Sequence, residues 1–308
     1  MLLERISSKP SMLKKVFSYL LYASLIFLGY YLYKSDYIAI PKVHSWFYML
    51  LSFLFLLLGF MFQNVNWQRI LKVFNVNISL KTASISVGLS VFMKYIPGKV
   101  MVVLGRAAYI ANKKGVPILY TSTVSLFSQI ISLWVGLLLG SIALVNADID
   151  TIWKFLSLIL FLGLTVALFL PKIPERAFNF FTKLIKKDFK YPKLTQRQIL
   201  FVLPTYILTW LFWGFGFYFL TLALSSEVSL PIVYGLVFPL AGTLAIVTLF
   251  APGGVGVREG LLVSSMVVYG IPVQQATAIA LASRLWFLVG ELAAFVAAIM
   301  LRYKNRER

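Results

Sequence analysis

The chain has 308 residues, 60% of them hydrophobic and only 13% charged. Soluble domains carry about 25% charged residues, and apolar stretches long enough to cross a bilayer recur along the whole chain, so the composition excludes a soluble protein and indicates an all-α polytopic membrane protein. The lack of cysteine and the single His44, a short-loop residue, exclude disulfide scaffolds and thiolate or His-rich metal centres, and the net charge of +19 reads as basic loops on an anionic leaflet rather than as a nucleic-acid surface.

In chain order, the basic segment MLLERISSKPSMLKK precedes an apolar run. No small-x-small cleavage site follows it, so residues 16–33 read as a retained first span. Further spans are expected at 46–65, 118–145, 152–171, 198–224 and 276–301, which makes about six. Two other apolar regions are interrupted: 83–112 at YIPGKV, and 231–269 at FAPGGVGV. The arm 83–95 reaches only about 20 Å as a helix, against a hydrocarbon core of about 30 Å. Each broken region therefore reads as a re-entrant helical hairpin, although two short spans would give the same parity. Residues 173–190 place Phe178, Phe181, Leu184, Ile185 and Phe189 on one helical face with lysines opposite, the pattern of a helix lying on the membrane surface.

Basic residues cluster before span one, after span two, between Lys172 and Arg197, and at the C-terminus. Asp148, Asp150 and Glu227 occupy the opposite loops. With each hairpin opening and closing on one side, every basic cluster is cytoplasmic, which places both termini in the cytoplasm and the protein in the cell (cytoplasmic) membrane.

The sequence matches itself at a shift of 155 residues. Pro97-Gly98 falls on Pro252-Gly253, Gly105 on Gly260, and Gly115 and Pro117 on Gly270 and Pro272. All five Gly and Pro residues between 97 and 129 match without a gap. The chain is thus expected to be one integral-membrane domain built of two pseudo-repeat halves, 1–150 and 151–308. Three crossings per half invert the second half relative to the first. Inverted repeats with paired discontinuous helices are a transporter signature, with the site where the breaks meet.

That site is where the unusual charges fall. A helix restarting after Pro-Gly presents unpaired N–H groups and a positive dipole end, and glycines let a ligand approach the backbone. Gly98 supplies such a turn in the first half, and Gly253, Gly254 and Gly256 in the second. Arg258 lies within a turn of the second break, Arg106 lies in the returning arm of the first hairpin, and Arg284 lies mid-span. Glu259 and Glu291 are the carboxylates of this zone. Charges at such depth pair with one another or serve a pathway, and an excess of arginine leaves positive charge for an anionic ligand. Gln129 aligns with Arg284 across the repeat and is expected at the same cavity. Lys94 and Lys99 fit equally a place among these charges or snorkelling to the surface, and Gly136 and Gly140 read as helix packing.

The strings APGGVGVREG, YIPGKVMVVLGR and ASRL resemble the integral-membrane, flippase-like domain of the lysylphosphatidylglycerol synthase family, over nearly the whole chain. Arg106, Arg258, Glu259 and Arg284 occupy the matching motif positions. The resemblance implies a lipid-translocating domain. It also implies membrane-lipid partners, either anionic phospholipid or a polyprenyl-phosphate-linked substrate, with a homo-oligomer and envelope-biosynthesis enzymes as further partners. Because the chain stops at Arg308 just after the last span, a stand-alone member without the soluble aminoacyl-transferring domain is expected. The favoured function is a flippase for a lipid with an anionic headgroup, with no enzymatic step and no cofactor. A membrane transferase acting on a lipid-linked substrate, an assembly partner of an envelope-lipid pathway and a small-anion channel are the alternatives.

The topology is directly testable on this cysteine-free chain. A cysteine introduced as Asp150→Cys is expected to react with an impermeant maleimide from the outside of intact cells. Labelling from the cytoplasmic side alone contradicts the inverted repeat.

Overall fold

The computed structural model of the chain describes residues 42–95, 101–146, 151–170, 175, 194–225, 230–247 and 257–303. Every regular element among them is helical: α1 Trp46–Val73, α2 Leu80–Ser90, a 3-10 turn Val91–Tyr95, α3 Met101–Lys114, α4 Ile118–Asn146, α5 Thr151–Phe169, α6 Gln196–Leu224, a second 3-10 turn Ile232–Leu236, α7 Val237–Val247, α8 Val257–Val268 and α9 Val273–Tyr303. The first expected span, the surface helix at 173–190 apart from Glu175, and the turn residues Gly98, Gly253, Gly254 and Gly256 lie outside the described residues.

Local chemistry sets the helix ends. Ser45 and Ser79 cap α1 and α2 by accepting from the Tyr48 and Thr82 amides, and Thr195 and Gln198 form a reciprocal capping box at the start of α6. α1 ends with Asn75 at φ 59° and a hydrogen bond of 2.8 Å from the Val76 amide to the Leu71 carbonyl, the Schellman arrangement. α8 ends the same way, with Gly270 at φ 88° and the Ile271 amide 3.1 Å from the Met266 carbonyl.

Four helices are long and apolar enough to cross a membrane: α1, α4 (over Ile118–Ala143), α6 and α9. They answer to four of the expected spans. α5 fills the region expected at 152–171, with a shorter apolar stretch, Lys154–Phe169. Its side chains Ile152, Phe155, Leu158, Ile159 and Leu162 are exposed, as are Trp46, Leu50, Leu54 and Leu57 on α1. Apolar surface on this scale belongs against lipid. The arms of the two broken regions have 11 to 14 residues, a helical length of about 16–21 Å. α2 packs against α3, and α7 against α8.

The repeat read from glycine and proline extends to element boundaries. A shift of 155 residues carries the start of α4, Ile118, onto the start of α9, Val273, and Met101 of α3 to within one residue of the start of α8. Gly115 at φ 67° and Gly270 at φ 88° are left-handed at equivalent positions, each two residues before a proline that opens the next helix. The neighbours also exchange. Pairing α1 with α6, α2 with α7, α3 with α8 and α4 with α9 maps the contacts of one set onto those of the other: α1–α2 onto α6–α7, α3–α4 onto α8–α9, and α2–α9 onto α7–α4.

The central pair is α1 and α6. Phe55 meets the rings of Phe212, Phe215 and Phe219 at 5.4–5.9 Å, and Gly59 leaves room for the Trp213 indole. Around this pair, α2 sits on α9 where Gly88 meets Ala294, and α4 sits on α7 where Gly136 and Gly140 meet Thr243 and Leu240. Small residues at such crossings let backbones approach where no hydrophobic force drives helices together. A methyl group added at Gly88 would lie 2.5 Å from the Ala294 carbonyl oxygen, whereas one at Gly163 on α5 would meet nothing within 4 Å. Gly88→Ala is therefore expected to lower stability by about 1–3 kcal/mol, and Gly163→Ala to leave it unchanged or raise it by up to about 1 kcal/mol. Thermal unfolding of the two variants in detergent measures both signs.

Candidate functional site

A cavity of ≈ 290 Å³ lies against one side of the α1–α6 pair. Both repeats wall it: α1, the turn 91–95, α3 and α4 from the first, and α6, α7, α8 and α9 from the second. Arg106, Gln129, Arg258, Arg284 and Glu291 line it, and Glu259 stands behind Arg284. The structure thus brings together Arg106, Arg258, Glu259, Arg284 and Glu291 with Gln129, while Lys99 lies outside the described residues.

Arg106 is 9% exposed and its guanidinium is built into place. Nε donates to Ser125 Oγ at 2.6 Å and Nη2 to the Ser125 carbonyl at 2.9 Å, while the guanidinium carbon lies 4.6 Å from the Trp67 ring centre. Trp67 Nε1 donates to Ser86 Oγ at 3.0 Å, and that hydroxyl donates to the Arg106 carbonyl at 3.0 Å. One indole therefore supports the charge with its face and the backbone of α3 through Ser86. Among the described residues no carboxylate pairs with Arg106. Its charge is met by a hydroxyl, a carbonyl and an aromatic face, partners that stabilise a cation without neutralising it.

The adjacent charges of α8 diverge, which explains why a charged pair follows the glycine-rich break. Arg258 lies over the rings of Phe238 at 5.0 Å and Phe287 at 5.9 Å, and donates to Ser283 Oγ at 3.2 Å. Glu259 turns to α9 and takes Arg284 fork on fork: Nε donates to Oε1, and Nη2 to Oε2 at 2.8 Å. Glu259 thus fastens α8 to α9 while Arg258 is presented to the cavity. Bidentate geometry makes this the strong class of ion pair.

Of the two readings of Lys94, the structure selects the one at the site. It does not snorkel to a surface; its ammonium pairs with Glu291, which is 1% exposed, and lies 5.2 Å over the Phe287 ring. The pair joins the turn after α2 to α9, 197 residues apart in sequence, a distance that periodicity does not reveal. Among the described residues, the four cations Lys94, Arg106, Arg258 and Arg284 share the wall with Glu291, and counting Glu259 behind it gives a formal charge of 4 − 2 = +2. Walls of low dielectric strengthen the attraction of such a set for an anion.

A neutral face completes the cavity. Ser128 and the Tyr206 hydroxyl are 2.8 Å apart, Trp210 Nε1 donates to the Ser132 carbonyl at 2.7 Å, and Asn66 Nδ2 donates to Thr209 Oγ1 at 2.9 Å. Gln63, Asn66 and Tyr206 went unnoticed in the sequence because each is a single polar position within or just beyond an apolar stretch. The spacing of Gln63 and Asn66, three residues apart on one helix face, was the available signal.

The family model described as the Lysylphosphatidylglycerol synthase TM region matches residues 15–293. No curated protein matches the sequence.

Removing one partner of a buried ion pair strands the other charge, at a cost of about 3–5 kcal/mol. Glu259→Ala and Arg284→Ala are each expected to destabilise the protein by this amount. The double variant should then cost less than the sum, with a coupling of about 1–3 kcal/mol. A double-mutant cycle in detergent measures the coupling; strict additivity would mean the fork does not fasten α8 to α9.

Proposed function

The chain belongs to the family of the lysylphosphatidylglycerol synthase transmembrane region, and we propose that this multi-pass membrane protein moves an anionic, phosphate-bearing lipid or lipid-linked headgroup between the leaflets. The observation that carries the proposal is the cavity enclosed by both repeats, with its excess of cations inside an apolar helical bundle. A bare phosphate cannot cross hydrocarbon because its hydration has no replacement there. Arg106 and Arg258 offer that replacement at two points of the wall, one in each repeat. The cavity volume, ≈ 290 Å³, is at the lower end of the roughly 300–1,000 Å³ of small-molecule sites. That suits a headgroup and leaves no room for two acyl chains, so the tails stay in the bilayer.

The exchange of neighbours between the repeats supports alternating access. In our reading the chain crosses the membrane about six times with two re-entrant hairpins, α2–α3 and α7–α8, and the halves are inverted. Rocking one half against the other then exposes the same site to each leaflet in turn. The termini are cytoplasmic in this arrangement and the membrane is the cell membrane. Glu259 and Glu291 temper the field by pairing with Arg284 and Lys94, so the headgroup is held weakly enough to leave. The protein makes and breaks no covalent bond in this cycle.

Purified protein in proteoliposomes is expected to redistribute a phosphate-bearing lipid between leaflets and return it chemically unchanged. Loss of one charge-assisted hydrogen bond is worth about 10–100-fold, so Arg106→Ala and Arg258→Ala should slow redistribution by about that factor. Lys72→Ala, on an exposed position of α1, should not. Leaflet assignment with mass spectrometry reads both quantities. A new covalent lipid product without redistribution, or full transport in both arginine variants, would overturn the proposal.

A further inference from the structure

One face of α9 is apolar, continuous and open. Val289, Leu292, Val296, Ile299 and Tyr303 are 43–66% exposed, and their spacing of three and four residues puts them on a single helical stripe. The opposite face of α9 carries Ala294 and Ala298 onto Gly88 of α2. Lipid tails are as apolar as leucine, so apolarity alone does not choose what covers the stripe. The pairing of the repeats and the path of the chain do. α9 is the counterpart of α4, and α4 carries α5. There Trp134 of α4 stacks on Phe161 at 5.6 Å, meets Phe169 edge-on at 5.8 Å and donates through Nε1 to Thr165 Oγ1 at 2.8 Å. The 155-residue shift carries Trp134 onto Val289, which is 47% exposed. α5 opens the second half as residues 16–33 open the first, and among the described residues no helix stands on α9 as α5 stands on α4.

We infer that the stripe on α9 is the seat of the chain's own first expected span, residues 16–33, which lie outside the described residues, packed antiparallel on α9 as α5 packs on α4. The connection permits it. The His44 amide donates to the Ala223 carbonyl at 2.8 Å, and Gln275 Nε2 donates to the Leu224 carbonyl at 3.2 Å. The N-terminal ends of α1 and α9 therefore meet at one end of α6, and the two helices run in the same direction. Residues 34–45, which join the first span to α1, reach up to about 40 Å, against about 8–10 Å between the axes of packed helices. A span that returns into α1 through this connection runs antiparallel to α1, and so to α9. The register follows from the same pairing. Gly29 stands as far into 16–33 as Thr165 stands into 152–171, which sets Val289 beside Gly29 and, two turns along, Val296 beside Tyr22. Each long helix is then held between an outer span and a hairpin arm of the other repeat: α4 between α5 and α7, and α9 between residues 16–33 and α2. The seat does not depend on what the cavity carries, so it stands or falls apart from the proposed function.

The test is cysteine cross-linking of the full chain, which has no cysteine of its own. Val289→Cys or Val296→Cys is combined with a second cysteine scanned through residues 18–33, and the membranes are oxidised with copper phenanthroline. Both α9 positions are exposed, so these substitutions leave the packing of α9 intact. The joined peptides are identified by mass spectrometry, and the size of the product is read on a non-reducing gel. Val289→Cys is expected to join positions around residue 29 and Val296→Cys positions around residue 22, in monomer-sized product, with maxima every third or fourth residue. A disulfide needs Cβ atoms within about 4.5 Å, so these pairs should exceed the same scan against Leu54→Cys, on the exposed face of α1, by about tenfold. Dimer-sized product would mean that a second copy covers the stripe, and overturns the inference. Stronger joining to Leu54→Cys places the span on α1 and overturns it as well. Joining of Val289→Cys around residue 22 and of Val296→Cys around residue 29 overturns the antiparallel seat. No joining above background at either α9 position means that lipid alone covers the stripe, which also overturns it. None of these outcomes touches the proposed function, which the redistribution of lipid tests separately.

Discussion

A charged side chain inside an apolar bundle must be met by something, and the kind of partner decides whether it is structure or site. Four cations surround the cavity, and their partners differ. Arg284 and Lys94 are met by carboxylates, Glu259 and Glu291. Arg106 is met by Ser125 and the face of Trp67, and Arg258 by Ser283 and the faces of Phe238 and Phe287 among its contacts. The first kind of partner cancels charge and fastens elements together. The second kind removes water and fixes geometry without cancelling charge, and among the described residues no carboxylate pairs with Arg106. The fold around the cavity follows from these contacts: ion pairs fasten α8 to α9 and the turn 91–95 to α9, and the Arg106 and Arg258 guanidinium groups lie at the wall against aromatic rings.

Pseudo-symmetry supplies the frame but not the chemistry. The helices exchange neighbours almost completely between the repeats, yet Arg106 falls opposite Leu261, and Gln129 opposite Arg284, at the 155-residue shift. Each repeat thus contributes a different set of polar groups to one space. A transporter whose halves rock against each other needs equivalent hinges and interfaces, and the matched left-handed glycines and helix-opening prolines at 115–117 and 270–272 provide equivalent turns. It does not need equivalent ligands.

Much of this was legible in the sequence, and the limits have physical reasons. Long apolar runs announced α1, α4, α6 and α9 because a bilayer demands about twenty apolar residues in a row. Pro-Gly breaks announced the short arms, and costly charges announced the site. The Lys94–Glu291 pair was hidden because nothing in local spacing links residues 197 apart, and a lysine near a break looks the same whether it snorkels or pairs. Asn66 and Gln63 were hidden because one polar residue at the end of an apolar run is the usual way a span ends. The glycines Gly98, Gly253, Gly254 and Gly256, expected to cradle the anion, lie outside the described residues.

The central claim is that a lipid phosphate enters the space between the repeats. The most direct measurement is an experimental structure of the full chain in nanodiscs of an anionic phospholipid. The account predicts density for a headgroup inside the cavity, its phosphate within hydrogen-bonding distance of Arg106 or Arg258 and its acyl chains leaving between helices toward the bilayer. Lipid confined to the outer surface, with only water in the cavity, would contradict it.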